Sequence, residues 1–235
     1  MALVRATSRR QVWRDLSKQG GAPVSRLILM NPNSNAATTQ AMVAIARQIL
    51  PGVEGWTAPR GPGMIVTEEA LAAAAEEVAA ADLGDAAGVI VSAFGDPGMS
   101  ALAARLDCPV VGIGACAAAE AGAGGRSFAV VTTTPGLEQS VNRLMRAHAG
   151  AGRYLGCFLT EGDPLRLMED DGMLDRALME GIGRAAGQGA AVAIIGGGPL
   201  GEAAERLADR SPIPLIAPIR AAARVLRARL DGPCR

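Results

Sequence analysis

The chain has 235 residues, 49% of them hydrophobic, and 23 basic side chains balance 23 acidic ones. That length can bury one large core or two modest ones, and the even charge, with no basic stripe interleaved with aromatics, excludes nucleic acid as an expected partner. No apolar run approaches the roughly 20 residues of a membrane span, and no apolar h-region follows the N-terminal basic residues, so no membrane association and a cytoplasmic location are expected.

Residues 1 to 24 read as an extension: polar, rich in arginine, anchored by Val4, Trp13 and Leu16, and closed by Gly20-Gly21-Ala22-Pro23. Beyond it, apolar runs alternate with helical segments. Strands are expected at Leu27 to Met30, Val53 to Thr57, Gly88 to Ala93, Pro109 to Ile113, Phe128 to Thr132, Tyr154 to Leu159, Val192 to Ile195 and Ile213 to Ile216. Helices rich in Ala, Leu, Glu and Arg are expected at 38–49, 67–81, 100–106, 137–149, 165–186, 201–208 and 219–230. This is the βα alternation of an α/β protein with parallel sheets.

The alternation repeats. Leu27 to Asn33 resembles Phe128 to Thr134, Val89 to Ala93 with its Gly/Pro loop resembles Ala193 to Gly197 with Gly198-Pro199, and Cys108 to Ile113 corresponds to Ile213 to Pro218. Duplicated halves predict two similar Rossmann-like βα lobes related by a pseudo-twofold axis, with a ligand cleft between them; one continuous sheet is the alternative. Lobe 1 is expected over 25–114, with room for the C-terminal helix to pack on it, and lobe 2 over 115–235.

The stretch Val89 to Gly98 is a buried strand running into a Gly/Asp/Pro turn and then a helix start. Ligands of parallel sheets sit at such strand ends, where backbone N–H groups are free. Around this loop, Asn31, Asn33 and Ser34 either cap the following helix or donate to a ligand. Thr132, Thr133 and Thr134 pose the same choice, with Thr134-Pro135 resembling an N-cap and a first-turn proline. Asp96 is the one carboxylate in the central turn, where its usual task is to hold nearby backbone. Ser92 points away from the site if the strand runs to Ala93. Gly196-Gly197-Gly198-Pro199 allows close backbone approach to a ligand, without the Gly-Lys-Ser/Thr of a nucleotide loop. Glu202 opens the next helix, where its charge suits the dipole.

Cys108, Cys116, Cys157 and Cys234 lack C-x-x-C spacing and His148 is the sole histidine, so neither disulfides nor a metal site is expected. Cys116 is the one thiol near the expected cleft, in Ala-rich surroundings that suit a buried helix residue.

Met30-Asn31-Pro32-Asn33-Ser34, Phe94-Gly95-Asp96-Pro97-Gly98, Pro109-Val110-Val111-Gly112-Ile113 and Val130-Val131-Thr132-Thr133-Thr134 together resemble the aspartate/glutamate/hydantoin racemase superfamily, most of all its hydantoin and allantoin racemase branch. The resemblance spans about residues 25 to 230. It implies a cleft that takes a small carboxylate, hydantoin or ureide, and a cofactor-free isomerase-type reaction in which two cysteines work on opposite faces of the carbon α to a carbonyl. In this chain the two cysteine positions fall on Ala93 and Gly197, and two further positions that tend to be acidic fall on Ala115 and Ala217. Substrate contacts are then expected from Asn31, Asn33, Ser34, Phe94, Gly95, Thr132, Thr133, Gly197 and Gly198, with Cys116 and Asp96 as the remaining candidates for acid/base work. The resulting readings are a racemase or epimerase with a displaced acid/base set, a non-catalytic ligand binder or partner subunit, and a lyase or hydrolase on the same frame. A homo-oligomer is compatible with all three.

Overall fold

Short β-branched runs bounded by Gly, Pro or Asn form the strands, and the Ala-rich segments between them the helices, in a computed structural model that describes residues 26–232. The expected extension and Cys234 lie outside the described residues. β1 (Leu27–Asn31), β2 (Glu54–Thr57), β3 (Gly88–Val91) and β4 (Val110–Gly112) form one parallel sheet in the order β2-β1-β3-β4. β5 (Ser127–Thr132), β6 (Arg153–Leu159), β7 (Val192–Ile195) and β8 (Leu215–Ile216) form a second in the order β6-β5-β7-β8. The two halves thus repeat one topology, and the continuous-sheet alternative is not formed.

Register makes the repeat quantitative. Ser92 N–H donates to Met30 O at 2.8 Å at the end of β3, and Gly196 N–H donates to Val131 O at 2.8 Å at the end of β7. Ser92 is therefore equivalent to Gly196, Ala93 to Gly197, Asn31 to Thr132 and Asn33 to Thr134.

The helices are α1 (Ala36–Arg47), α2 (Glu68–Ala80), α3 (Met99–Arg105), α4 (Ile113–Gly122), α5 (Glu138–His148), α6 (Pro164–Leu167), α7 (Asp171–Gly187), α8 (Gly201–Leu207) and α9 (Pro218–Asp231). Three points differ from the sequence expectation. β3 stops at Val91, so Ser92 and Ala93 belong to the loop. The expected 165–186 helix is two helices, because Asp163 caps α6 and Asp170 caps α7 through Met173 N–H at 2.7 Å, each carboxylate satisfying first-turn donors and so restarting the helix. The Ala-rich stretch after β4, absent from the expected helices, is α4, which leaves β4 with no intervening loop.

α4 and α9 exchange places. α4 leaves the first sheet and packs on β5, β7 and β8, whereas α9 leaves the second sheet and packs on β3 and β4; the two helices also lie against each other. Ala117, Ala118 and Ala121 on α4 and Ala221, Ala222 and Ala223 on α9 are buried in one core that also holds Ile90 and Leu29 of the first sheet and Val130 and Ile194 of the second. Small side chains let the two helix backbones approach, and this shared core ties the lobes together.

Leu226 of α9 sits fully buried over Gly88 of β3, where an added Cβ would meet its Cδ1 at 3.0 Å. Leu226→Ala is expected to cost about 2–5 kcal/mol in urea unfolding, with one cooperative transition before and after, because α9 belongs to the core of both lobes. Two separate transitions would mean that the lobes unfold independently.

Candidate functional site

The loops after β1, β3, β5 and β7 meet at one cleft of about 540 Å³, counting the part open to solvent. Its floor is Ser92-Ala93-Phe94 from one lobe and Gly196 to Pro199 from the other; Asn33, Thr133 and Thr134 stand at its sides. Met64, Ile65 and Leu71 from the first lobe and Leu137 and Val141 from the second cover it with apolar surface.

Asn31 is buried at the end of β1 and spends its amide on the loop: Nδ2 donates to Asn33 Oδ1 at 2.7 Å, Asn35 O at 3.1 Å and Thr39 Oγ1 at 3.0 Å. Asn33 Oδ1 also accepts from Asn35 N–H at 2.9 Å. That fixes the Asn33 amide with its oxygen engaged and its Nδ2 without a partner among the described residues, at the wall of the cleft. The side chain that caps α1 is Asn35, which accepts from Thr38 N–H at 3.2 Å. Ser34 is exposed and holds the 58–67 loop instead, its N–H on Pro62 O at 3.1 Å and its Oγ–H on Gly61 O at 2.9 Å.

The second lobe repeats this plan with threonines. Thr132 and Thr134 pair through their hydroxyls at 3.1 Å, as Asn31 and Asn33 pair through their amides. Thr134 makes no side-chain cap; a short 3₁₀ turn over Pro135–Leu137 leads into α5. Between them Thr133 is 1% exposed, lines the cleft, and its Oγ1 has no hydrogen-bond partner among the described residues. A buried hydroxyl left unpaired costs about 1–3 kcal/mol, which a ligand acceptor in the cleft would recover.

Backbone donors complete the lining. The N–H groups of Ala93 and Phe94, and of their equivalents Gly197 and Gly198, make no hydrogen bond within the described residues. Each lobe therefore offers a pair of free donors at the same strand end. Ser92 is no nucleophile: its Oγ–H donates to Met30 O at 2.6 Å. Among the described residues, no side chain that lines the cleft is titratable.

The remaining candidates lie elsewhere. Asp96 stands at φ 49° and turns its carboxylate beneath the floor, accepting from Gly114 N–H at 2.8 Å and Ala115 N–H at 2.7 Å at the start of α4. Gly112 is required there, since a Cβ would overlap that carboxylate. Burial pushes the Asp96 carboxyl up to about 6, against the pull of the two N–H donors. Cys116, one position on from Ala115, is buried in the shared core and does not line the cleft; burial, then the Asp96 charge, push its thiol up to about 12. Cys157 on β6 contacts Tyr154 Oη at 3.2 Å, and burial pushes it up to about 11. His148 is exposed at the end of α5. Asn31, Ser34, Gly95 and Thr132 shape the loops without lining the cleft, whereas Asn33, Ala93, Phe94, Thr133, Gly197 and Gly198 line it.

Gly197 holds φ 137° and ψ 135°, a backbone region that is essentially glycine's alone. Ala93, its equivalent, has no such restriction.

Two topologically identical lobes with a donor-lined cleft at their facing strand ends define a duplicated α/β protein whose candidate ligand site lies between the halves. The Asp/Glu/Hydantoin racemase family matches residues 27–226, and the chain belongs to that family. A hydantoin racemase from Paenarthrobacter aurescens is 28% identical over 213 residues, covering 85% of this chain and 89% of that one. Among solved structures, the allantoin racemase from Klebsiella pneumoniae superposes with a TM-score of 0.74 at 25% identity over 86% of each chain. That from Pseudomonas fluorescens gives 0.71 at 25% identity over 86% of this chain and 89% of that one.

The Asp96 cap makes stability depend on pH with a definite sign. The folded chain keeps the Asp96 proton up to about pH 6, whereas the unfolded chain loses it near the ordinary 3.8, so this group's contribution is largest at low pH and falls as pH rises between those values. Asp96→Asn is expected to remove that slope in urea unfolding from pH 4 to 7. Asp96→Ala should cost about 1–3 kcal/mol by stranding two helix N–H groups.

Proposed function

We propose that this chain binds a small carboxylate, hydantoin or ureide in the interlobe cleft without exchanging the ligand's α-proton through its own side chains. The observation that carries this reading is the lining itself: unpaired donors from Thr133, Asn33 and the loops after β3 and β7, and no titratable side chain among the described residues that line it. Free N–H and O–H groups suit carboxylate or carbonyl oxygens, and preorganised dipoles in a water-poor site hold them without a counter-cation. Proton transfer needs a base within about 3 Å of the carbon-bound proton, and the two equivalent floor positions are Ala93 and Gly197.

A racemase with a displaced acid/base set is the second reading, favoured by the names of the hydantoin and allantoin racemases that this chain resembles. It requires a group from outside the lining, and the two weak candidates, Asp96 and Cys116, face α4 and the shared core.

Proton NMR in D₂O with hydantoins, allantoin, aspartate, glutamate and arylmalonates separates the readings. Saturable shift changes with undiminished Cα–H signals are expected, and Thr133→Val should weaken the binding about tenfold, the worth of one hydrogen bond in a buried site. Loss of the Cα–H signal above the protein-free control would sink the non-exchanging reading in favour of the racemase. A product of altered mass would point to a lyase or hydrolase.

A further inference from the structure

The cleft is roofed by a strap, residues 58–67, that no motif in the sequence singled out. It leaves β2, carries Met64 and Ile65 over the cleft, and enters α2 at Glu68. Three sets of contacts hold it. At its start Arg60 pairs with Glu77 at 2.7 Å. In its middle Gly61 and Pro62 carbonyls accept from Ser34. Both of these lie within the first lobe.

The third set crosses to the other lobe. Glu68 Oε1 accepts from the backbone N–H of Ser140 at 3.0 Å, Oε2 pairs with the Ser140 hydroxyl, and Arg143 stands 3.3 Å from Oε2. Ser140 is the third residue of α5, whose N-cap position is Leu137, a side chain that has nothing to offer the helix. A free first-turn N–H of α5 is therefore satisfied by a carboxylate from the opposite lobe, in the role that an acidic residue at a helix start ordinarily fills from within its own chain segment. Next to this contact, Gly136 lies so close to Val66 O that a Cβ would overlap it. The same first turn of α5 presents Leu137 and Val141 to the cleft.

We propose that Glu68 is a positioning residue that latches the strap shut by capping α5 across the cleft, so that the roof opens only when this interlobe cap releases. The latch joins the two halves of the apolar roof: Met64 and Ile65 on the strap side, Leu137 and Val141 on the α5 side. Gly136 lets the backbones come close enough for the carboxylate to reach. The inference goes beyond the ligand reading and does not need the ligand to be identified.

Hydrogen exchange on the full chain, without ligand, tests it. Glu68→Ala is expected to raise exchange of the Ser140 amide about tenfold, a charge-assisted hydrogen bond's worth of local protection, and to speed tryptic cleavage of the strap after Arg60 to a similar degree. Exchange of β3 and β7 should stay at its wild-type rate. Glu68→Gln, which keeps one carbonyl acceptor, should fall between. Gly136→Ala leaves Glu68 intact but pushes Val66 away, and should also free the strap. Wild-type cleavage after Arg60 in Glu68→Ala would overturn the proposal, even with faster exchange at Ser140. If β3 and β7 also exchange faster in that variant, Glu68→Gln decides: faster cleavage after Arg60 and faster exchange at Ser140 with β3 and β7 at their wild-type rates uphold the latch, and unchanged cleavage overturns it. Absence of binding by any compound in the NMR panel would remove the ligand reading and leave this result standing.

Discussion

The crossing of α4 and α9 is the constraint on which the cleft depends. Each helix is the continuation of the last strand of one lobe and a packing layer of the other, so neither lobe can rotate without pulling a helix out of a buried core of alanines and branched aliphatics. The facing strand ends of β3 and β7 are thereby held at a fixed spacing. A pocket whose polar tools among the described residues are backbone N–H groups and short side chains needs that rigidity, because such donors have no reach of their own; they bind only what the scaffold places within hydrogen-bond distance.

Lining the site with neutral donors has an electrostatic consequence. Low-dielectric surroundings strengthen each hydrogen bond to an oxygen acceptor, but they also penalise any ionised side chain left without a partner. The chain's buried titratable groups obey that penalty. Asp96 is tolerated because two N–H groups at a helix start receive it, and even so its carboxyl is raised. Cys116, with no such donors and with that carboxylate nearby, is held as a neutral thiol.

Much of this was legible in the residues. All eight strands overlap the runs expected to be strands; the inner ones, β1, β3, β5 and β7, are legible because a strand buried on both faces must be short, apolar and bounded by turn formers, whereas the edge strand β2, Glu54–Thr57, is half exposed. The internal repeat was legible as well, since Asn31-Pro32-Asn33 and Thr132-Thr133-Thr134 follow equivalent strands. Around Cys116 the Ala-rich sequence suited a buried helix residue, yet the span of α4 was not legible, because it has almost no amphipathic contrast: it is buried nearly all round, and periodicity has nothing to report for such a helix. The side-chain division of labour within a loop was also hidden. Asn31 and Asn33 look alike in sequence, yet one directs its amide protons to its own loop and to Thr39 of α1, and the other keeps its amide protons for the cleft, a difference set by which oxygen the neighbouring N–H groups reach. The strap and its latch left no trace, since Glu68 reads as an ordinary first-turn acid of α2 and its partner lies 72 residues away.

The two lobes have also solved one problem differently. Both closing helices start directly from a strand end, where first-turn N–H groups are buried and need partners. In the first lobe Asp96 supplies a carboxylate to α4, and Gly112 makes room for it. Register places Leu200, buried and apolar, at the equivalent position of the second lobe, and there α9 begins with Pro218, which has no N–H to satisfy. The floor positions diverge in the same way, Ala93 on ordinary backbone and Gly197 at φ 137°. Chemistry that works from both faces of one carbon needs two matched side chains, and a glycine-only backbone at one of the two positions admits no side chain without re-laying the loop. The frame keeps its twofold plan in the strands, where packing enforces it, and departs from it in the loops, where strand pairing does not.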